Sequence, residues 1–136
     1  MTSDRRRAGF TLIELMVVVI IIAALAGMVL PRVLPRADEA KKDIASAEIQ
    51  AIGTALSMYR LDNGRYPTTE EGLNALMARP PSASNWKGPY LEKDAIDPWG
   101  HAYQYKYPGI HNTGGFDLYS LGRDGVESED DVTSWK

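Results

Sequence analysis

A chain of 136 residues, with about 106 following Leu30, has room for one modest domain beyond its amino-terminal segment. Its 18 acidic and 15 basic residues give a net charge of −3, which argues against nucleic acid, a partner that would want a basic face. The absence of cysteine excludes a disulfide framework and thiolate metal or redox chemistry, so an exported domain this small needs another staple, either a bound metal or a polymer of subunits.

The chain opens with a short cationic leader, MTSDRRRA, containing Arg5, Arg6 and Arg7 in a row. From Phe10 to Leu30 the residues are apolar or small except for Thr11 and one charge, Glu14. As a helix rising ~1.5 Å per residue, that run reaches roughly 30 Å, the thickness of a hydrocarbon core. The pattern predicts a transmembrane helix over residues 10–30 with its arginine end in the cytoplasm.

Glu14 does not suit a plain anchor. A carboxylate near the bilayer core costs on the order of 2.5–3.5 kcal/mol, so it calls for a cation and a role. A cut between Gly9 and Phe10 would create an α-amino group one helical turn away on the same face. The reach within one chain is awkward, and the amine of a staggered neighbour is the better partner. Glu14 then acts as a register device in assembly. An uncleaved signal anchor with an incidental acid is the plainer reading, and a secretory signal peptide would have a shorter apolar core.

The segment Gly9-Phe10-Thr11-Leu12-Ile13-Glu14, behind a basic leader and ahead of an apolar run, resembles the class III signal of type IV pilins and pseudopilins. The resemblance implies that a prepilin peptidase removes residues 1–9 and N-methylates Phe10. Losing Asp4 and three arginines takes the chain to 12 basic and 17 acidic residues, a net charge of −5.

Pro31 and Pro35 follow the membrane run and predict a kink or local melting over Pro31–Arg36, or simply the end of the helix. Pilin-like proteins instead carry a proline at this place inside one long helix, so the resemblance implies continuation. From Ala37 to Leu61, Ala45, Ile49, Ile52, Leu56 and Tyr59 recur at spacings of 4, 3, 4 and 3, an amphipathic helix with a core-facing stripe. Asn63-Gly64 stops it.

Thr68-Thr69-Glu70-Glu71 reads as a capping box, opening a short helix to about Ala78 that turns Leu73, Leu76 and Met77 to the core. Pro80-Pro81 ends that helix, and an irregular stretch to Pro89 carries Trp86 as a packing plug. Tyr90-Leu91 predicts a short strand, and Asp97-Pro98-Trp99-Gly100 a turn. His101 to Tyr107 alternates with Tyr103, Tyr105 and Tyr107 on one face, a half-buried strand, and Phe116 to Leu121 returns as its partner. His101 and His111 read as surface residues near turns. No phosphate loop, metalloprotease motif or nucleophile elbow appears, so the expectation is a protein that is not an enzyme.

The segments YRLDNGRYPTTEEGL (59–73), DPWG (97–100), YQY (103–105) and FDLYSLGRDG (116–125) together resemble the major pseudopilin family of the bacterial type II secretion system, over nearly the whole chain. The lack of cysteine weighs against type IVa pilins, which close a carboxy-terminal loop with a disulfide. The resemblance implies an α+β, pilin-like fold: a long N-terminal helix, transmembrane then amphipathic, packed on a small antiparallel β-sheet, with residues 31–136 in the periplasm. It also implies a single-pass inner-membrane protein that polymerises with itself into a pseudopilus moving folded exoproteins outward. Partners would be minor pseudopilins, the prepilin peptidase and the inner-membrane assembly platform. A minor pseudopilin or a type IV pilus subunit is the neighbouring alternative; a signal-anchored periplasmic enzyme or ligand-binding module is the alternative of another class.

One cluster could hold a metal. Asp124, Glu127, Glu129, Asp130 and Asp131 crowd into eight residues beside glycines. Hard oxygen donors without histidine or cysteine suit calcium, although a solvated acidic loop would look the same and the spacing is not that of an EF-hand. The resemblance implies calcium here, with carboxylates from Asp124, Asp130 and Asp131, backbone carbonyls from Leu121 and Val126, and a further oxygen from Ser128. The loop between Val126 and Asp130 is shorter than in several relatives, which makes Ser128 the least secure of these contacts. Glu127 and Glu129 stay as exposed charge.

Overall fold

The computed structural model describes residues 9–136. The leader residues 1–8 lie outside that range. Helix α1 runs from Leu12 to Asn63, 52 residues, and contains both Pro31 and Pro35. The predicted local melting over Pro31–Arg36 is therefore not seen: the segment stays helical. A proline removes only its own N–H from the ladder, and a long helix with partners on either side can absorb that loss.

The chain divides into two compact units, Met1–Ala37 and Asp38–Lys136. Within the first, the described helix is apolar on every side, and large side chains from Leu12 to Leu34 are exposed all round it. Thr11 caps the start: its Oγ1 accepts from the Glu14 amide at 3.2 Å, and its carbonyl accepts from the Leu15 amide. Glu14 itself lies in the first turn, where a negative charge is favoured by the helix dipole.

The second unit is organised by the amphipathic half of α1. Ala45, Ile49, Ile52, Leu56 and Tyr59 are buried as the spacing predicts, and Ala55 joins them. They pack against Ala75, Leu76, Ala83, Tyr103 and Leu118 in one apolar cluster. The helix ends where predicted. Gly64, at φ +76°, donates to the Arg60 carbonyl at 2.7 Å, and Asn63 Nδ2 donates to the Tyr59 carbonyl.

The capping box forms but opens no α-helix. Thr68 N–H donates to Glu71 Oε2 at 2.9 Å and Glu71 N–H to Thr68 Oγ1 at 3.1 Å. Gly72 then takes φ +60°, which breaks helical propagation, and only a 3₁₀ turn, Leu73–Leu76, follows. Within it Ala75 and Leu76 are buried, while Leu73 and Met77 are half-buried. Trp86 is the expected plug, its Nε1 donating to the Ala75 carbonyl at 2.8 Å and its ring set edge-on to Tyr90.

The strand predicted at Tyr90-Leu91 is absent, because both amides donate to the single Leu76 carbonyl and none is left for a ladder. The sheet consists of β1 (Gln104–Lys106), β2 (Asp117–Ser120) and β3 (Val132–Thr133), antiparallel in that order. Tyr105 pairs with Leu118, and Ser120 with Val132. The predicted His101–Tyr107 strand is thus shorter, with only an isolated Ile96–Ala102 bridge before it. β3 was not foreseen; two residues are too few to show alternation.

Tyr103 and Tyr105 share a face as predicted and fix the sheet to its surroundings through their hydroxyls. Tyr103 donates to Glu48 on α1, and Tyr105 to the Pro67 carbonyl at 2.7 Å. Burial pushes both phenols well above their ordinary range, so both remain donors at any physiological pH. His111 is exposed as expected, but its ring stacks on Trp135 at 4.0 Å and its Nδ1 lies 3.1 Å from Asp117 Oδ2.

Two outcomes follow from this packing. Leu56 is fully buried and Leu61, on the same helix, is 84% exposed. Leu56→Ala should cost about 2–5 kcal/mol and Leu61→Ala less than about 0.5 kcal/mol, read by denaturant unfolding of the two variants. The second concerns acid. Arg65 grips Glu71 with both guanidinium nitrogens, at 2.9 and 3.0 Å, and this lowers the carboxyl from its ordinary 4.5 to about 2 against the opposing effect of burial, with Ser82 and the Thr68 amide adding to the lowering. Its contribution is complete above the unfolded value and is lost as pH falls through the folded one. The melting difference between the parent and Glu71→Gln should therefore shrink between about pH 5 and about pH 2. A constant difference across that window would refute the assignment.

Candidate functional site

The residues singled out in the sequence fall in two regions. At the amino-terminal one, Phe10 is 88% exposed and Gly9 stands in open space, so the Gly9–Phe10 bond is accessible. Glu14 is exposed and flanked by apolar side chains. The helix is long and apolar enough to cross a membrane, and its apolar stretch is nowhere buried. The role of Thr11 as helix cap was missed from the sequence, although Thr11-x-x-Glu14 is itself the capping pattern.

The second region is the loop from Leu121 to Asp131, joining β2 to β3. Gly122 and Gly125 take φ +68° and +69°, and a Cβ on Gly122 would stand 3.6 Å from the Asp130 carbonyl oxygen. The loop therefore returns on itself, with its two ends close. Asp124 is exposed, and its Oδ1 accepts from the Val126 amide at 3.2 Å. Asp130 is exposed and faces Lys42 Nζ at 3.8 Å. Asp131 is 8% exposed, and its oxygens accept from the Ser128 amide at 3.2 Å and the Ser128 hydroxyl at 3.4 Å.

The structure thus brings Asp131 and Ser128 together and leaves Asp124 and Asp130 pointing to other partners. Among the described residues, no three His, Cys, Asp or Glu side chains converge into a group that could hold a metal. Leu121 and Val126 lie on either side of the Gly122–Gly125 turn, and Glu127 and Glu129 are exposed as expected. The donor chemistry of the loop, carboxylate, hydroxyl and carbonyl oxygen only, fits a hard divalent cation.

Sequence reasoning missed the polar support beneath this loop. Asp97, 4% exposed, accepts from the Trp99 and His101 amides on Oδ1 at 3.0 and 2.8 Å. Its Oδ2 accepts from the Ser120 hydroxyl at 2.6 Å, and Ser120 Oγ accepts from the Gly122 amide at 3.1 Å. His101 is not a plain surface residue: Nδ1 lies 3.1 Å from the Gly122 carbonyl oxygen. The only signal available in the sequence was the Asp-Pro turn, since an aspartate there accepts from amides two residues on.

Comparison with known proteins places the whole chain in a family. The family described as type II secretion system (T2SS), protein G matches residues 32–135, and the prokaryotic N-terminal methylation motif matches residues 4–30. The chain is 50% identical to the type II secretion system core protein G of Pseudomonas aeruginosa, covering 96% of each. It is 45% identical to that of Klebsiella pneumoniae, again covering 96% of each. Among solved structures, the major pseudopilin from the type 2 secretion system of enterohaemorrhagic Escherichia coli matches with a TM-score of 0.67 and 39% identity, over 75% of this chain and 92% of that one. With the family model matching residues 32–135 and relatives 45–50% identical over nearly their whole length, the chain belongs to the protein G family of the type II secretion system, the major pseudopilins.

Proposed function

We propose that this major pseudopilin is a non-enzymatic filament subunit, held in the bacterial inner membrane by residues 10–30 with its carboxy-terminal domain in the periplasm. The observation that carries the reading is the helix from Leu12 to Leu34, apolar on every side and interrupted near its start by Glu14 alone until Arg32. Such a surface is stable in lipid or against copies of itself, and in few other places.

Prepilin peptidase cuts between Gly9 and Phe10 and N-methylates Phe10. The freed amine of one subunit pairs with Glu14 of its neighbour, which sets the stagger between chains. Minor pseudopilins and an inner-membrane assembly platform are the further partners, and growth of the filament drives folded exoproteins outward. Calcium would be held in the Leu121–Asp131 loop by carboxylates of Asp124, Asp130 and Asp131, carbonyls of Leu121 and Val126, and Ser128 oxygen, with Asp124 and Asp130 exchanging their present partners, the Val126 amide and Lys42, for the cation. When bound, the cation neutralises a loop whose carboxylates repel one another and supplies the staple that cysteine would otherwise give.

Two experiments test this. Glu14→Ala should leave membrane insertion and leader cleavage intact, as read by fractionation and the mass of the mature chain, while abolishing filaments recovered by shearing. Normal filaments from that variant would sink the pairing. For the loop, a cation present at roughly a hundredfold over its Kd adds about 2.7 kcal/mol to the folded state. Asp124, exposed and with one amide partner, should cost stability on replacement by alanine only when calcium is present; Asp131, which caps Ser128, should cost it in chelator too. Thermal melts of the full chain in detergent micelles distinguish the two, and an equal Asp124→Ala shift with and without calcium would count against the site.

A further inference from the structure

His101 holds a position that the filament and calcium readings leave unused. It follows the Asp97–Gly100 turn, well removed in sequence from the acidic loop, yet its ring supports that loop. Nδ1 lies 3.1 Å from the Gly122 carbonyl oxygen. A carbonyl only accepts, so Nδ1 carries the proton, and it does so in the neutral tautomer as in the imidazolium. At the other end of the turn, a Cβ on Gly125 would stand 3.2 Å from both Cε1 and Nε2 of the ring. The imidazole therefore lies along the turn Gly122-Arg123-Asp124-Gly125, bonded to its first residue and filling the space that a side chain on its last would take.

The ring is itself held. The His101 amide donates to Asp97 Oδ1 at 2.8 Å, and the other oxygen of this buried carboxylate accepts from Ser120 Oγ at 2.6 Å. The same Ser120 Oγ accepts from the Gly122 amide at 3.1 Å. Both backbone groups of Gly122 are thus fixed from outside the loop, the N–H by Ser120 and the C=O by His101. Ser120 and Leu121 are chain neighbours of Gly122 and would be ordered by β2 in any event. Asp124 and Val126 are not, and the imidazole is a side chain from elsewhere in the chain that reaches their turn.

We infer that His101 is a positioning residue for the loop: it holds the Gly122–Gly125 turn, and with it Asp124 and the backbone on either side, in one conformation before any cation arrives. The cation half of this inference rests on the calcium reading above; the holding of the turn does not. Groups that orient metal ligands without touching the metal have a characteristic size of effect. Losing one weakens metal binding by about 10–100-fold.

The test uses the full chain in detergent micelles, with amide hydrogen exchange over residues 122–126 in chelator and calorimetric titration with calcium alone. In His101→Ala, those amides should exchange faster in chelator, and calcium should bind at least about tenfold more weakly than to the parent. His101→Asn places an N–H donor where Nδ1 stands and should recover calcium binding to within about threefold of the parent. His101→Gln fills similar space with its donor one atom further out and should behave like His101→Ala, which separates the hydrogen bond from packing should the alanine variant fold poorly. Unchanged exchange in His101→Ala, or an asparagine variant as weak as the glutamine one, would overturn the inference. If the parent takes up no calcium, the cation reading and the calcium half of the inference both fail, and exchange in chelator alone decides the positioning.

Discussion

One helix in this protein has to satisfy two solvents, and the rest of the structure follows from how its sequence divides that task. Over its first part every face is apolar, and water cannot be the environment of such a surface at any scale of filament or membrane. Past Ala37 the apolar residues collapse to a single stripe, Ala45 through Tyr59, which is all that a domain of about a hundred residues has to build on. Leu76, Leu118 and Tyr103 reach that stripe from three separate parts of the chain, and so the short sheet and the 3₁₀ turn are placed by the helix more than by each other. A three-stranded sheet with strands of two to four residues would not be stable alone.

A cysteine-free domain with so little regular structure must close its loops in another way. Here aspartates do it. Asp117, 2% exposed, accepts from the Ile110, His111 and Asn112 amides at 2.8 to 2.9 Å; burial opposes its charge, yet those bonds outweigh it and hold the carboxyl below its usual range. Asp97 closes the turn before β1 in the same manner, and Asp131 closes the end of the acidic loop on Ser128. Each is a carboxylate that spends its lone pairs on backbone N–H groups, a stronger bond than one between neutral partners. The acidity of the chain is thus partly structural, and within the loop the exposed acids Asp124, Glu127, Glu129 and Asp130 are left to repel or to bind.

What could be read beforehand divides along the same physical line. The stripe in α1 was legible because periodicity reports burial directly, and Gly64 as a stop because its conformation is local. The inward side of Tyr103 and Tyr105 was legible through alternation. The short helix after Thr68 was not, since the capping box is a true local signal that Gly72 cancels one residue later through a backbone conformation that sequence only permits and does not demand. Tyr90 and Leu91 have strand-forming side chains, but the Leu76 carbonyl takes both of their amides, a tertiary fact. In the loop, the acids were visible as composition, whereas His101 and Ser120 lie outside it in sequence and became visible only once β1 and β2 were brought side by side.

The acidic loop is tied to the domain at one end of its turn. Its turn is tied at Gly122 to the interior of the domain through Ser120 and Asp97, while Trp99, within the same Asp97–Gly100 turn, donates to Asp38 Oδ1 on α1 at 3.0 Å. Asp38 is the first residue of the folded unit. A continuous path of hydrogen bonds therefore runs from the beginning of the amphipathic helix, through a four-residue turn, to the backbone of the acidic loop. On the opposite side of the loop, Lys42 approaches Asp130, but that pair is solvent-exposed and adds at most about 1 kcal/mol. The buried path is the one that can hold a conformation. The loop is fixed relative to the amphipathic helix by one turn whose aspartate, tryptophan and following histidine each bond to a different neighbour.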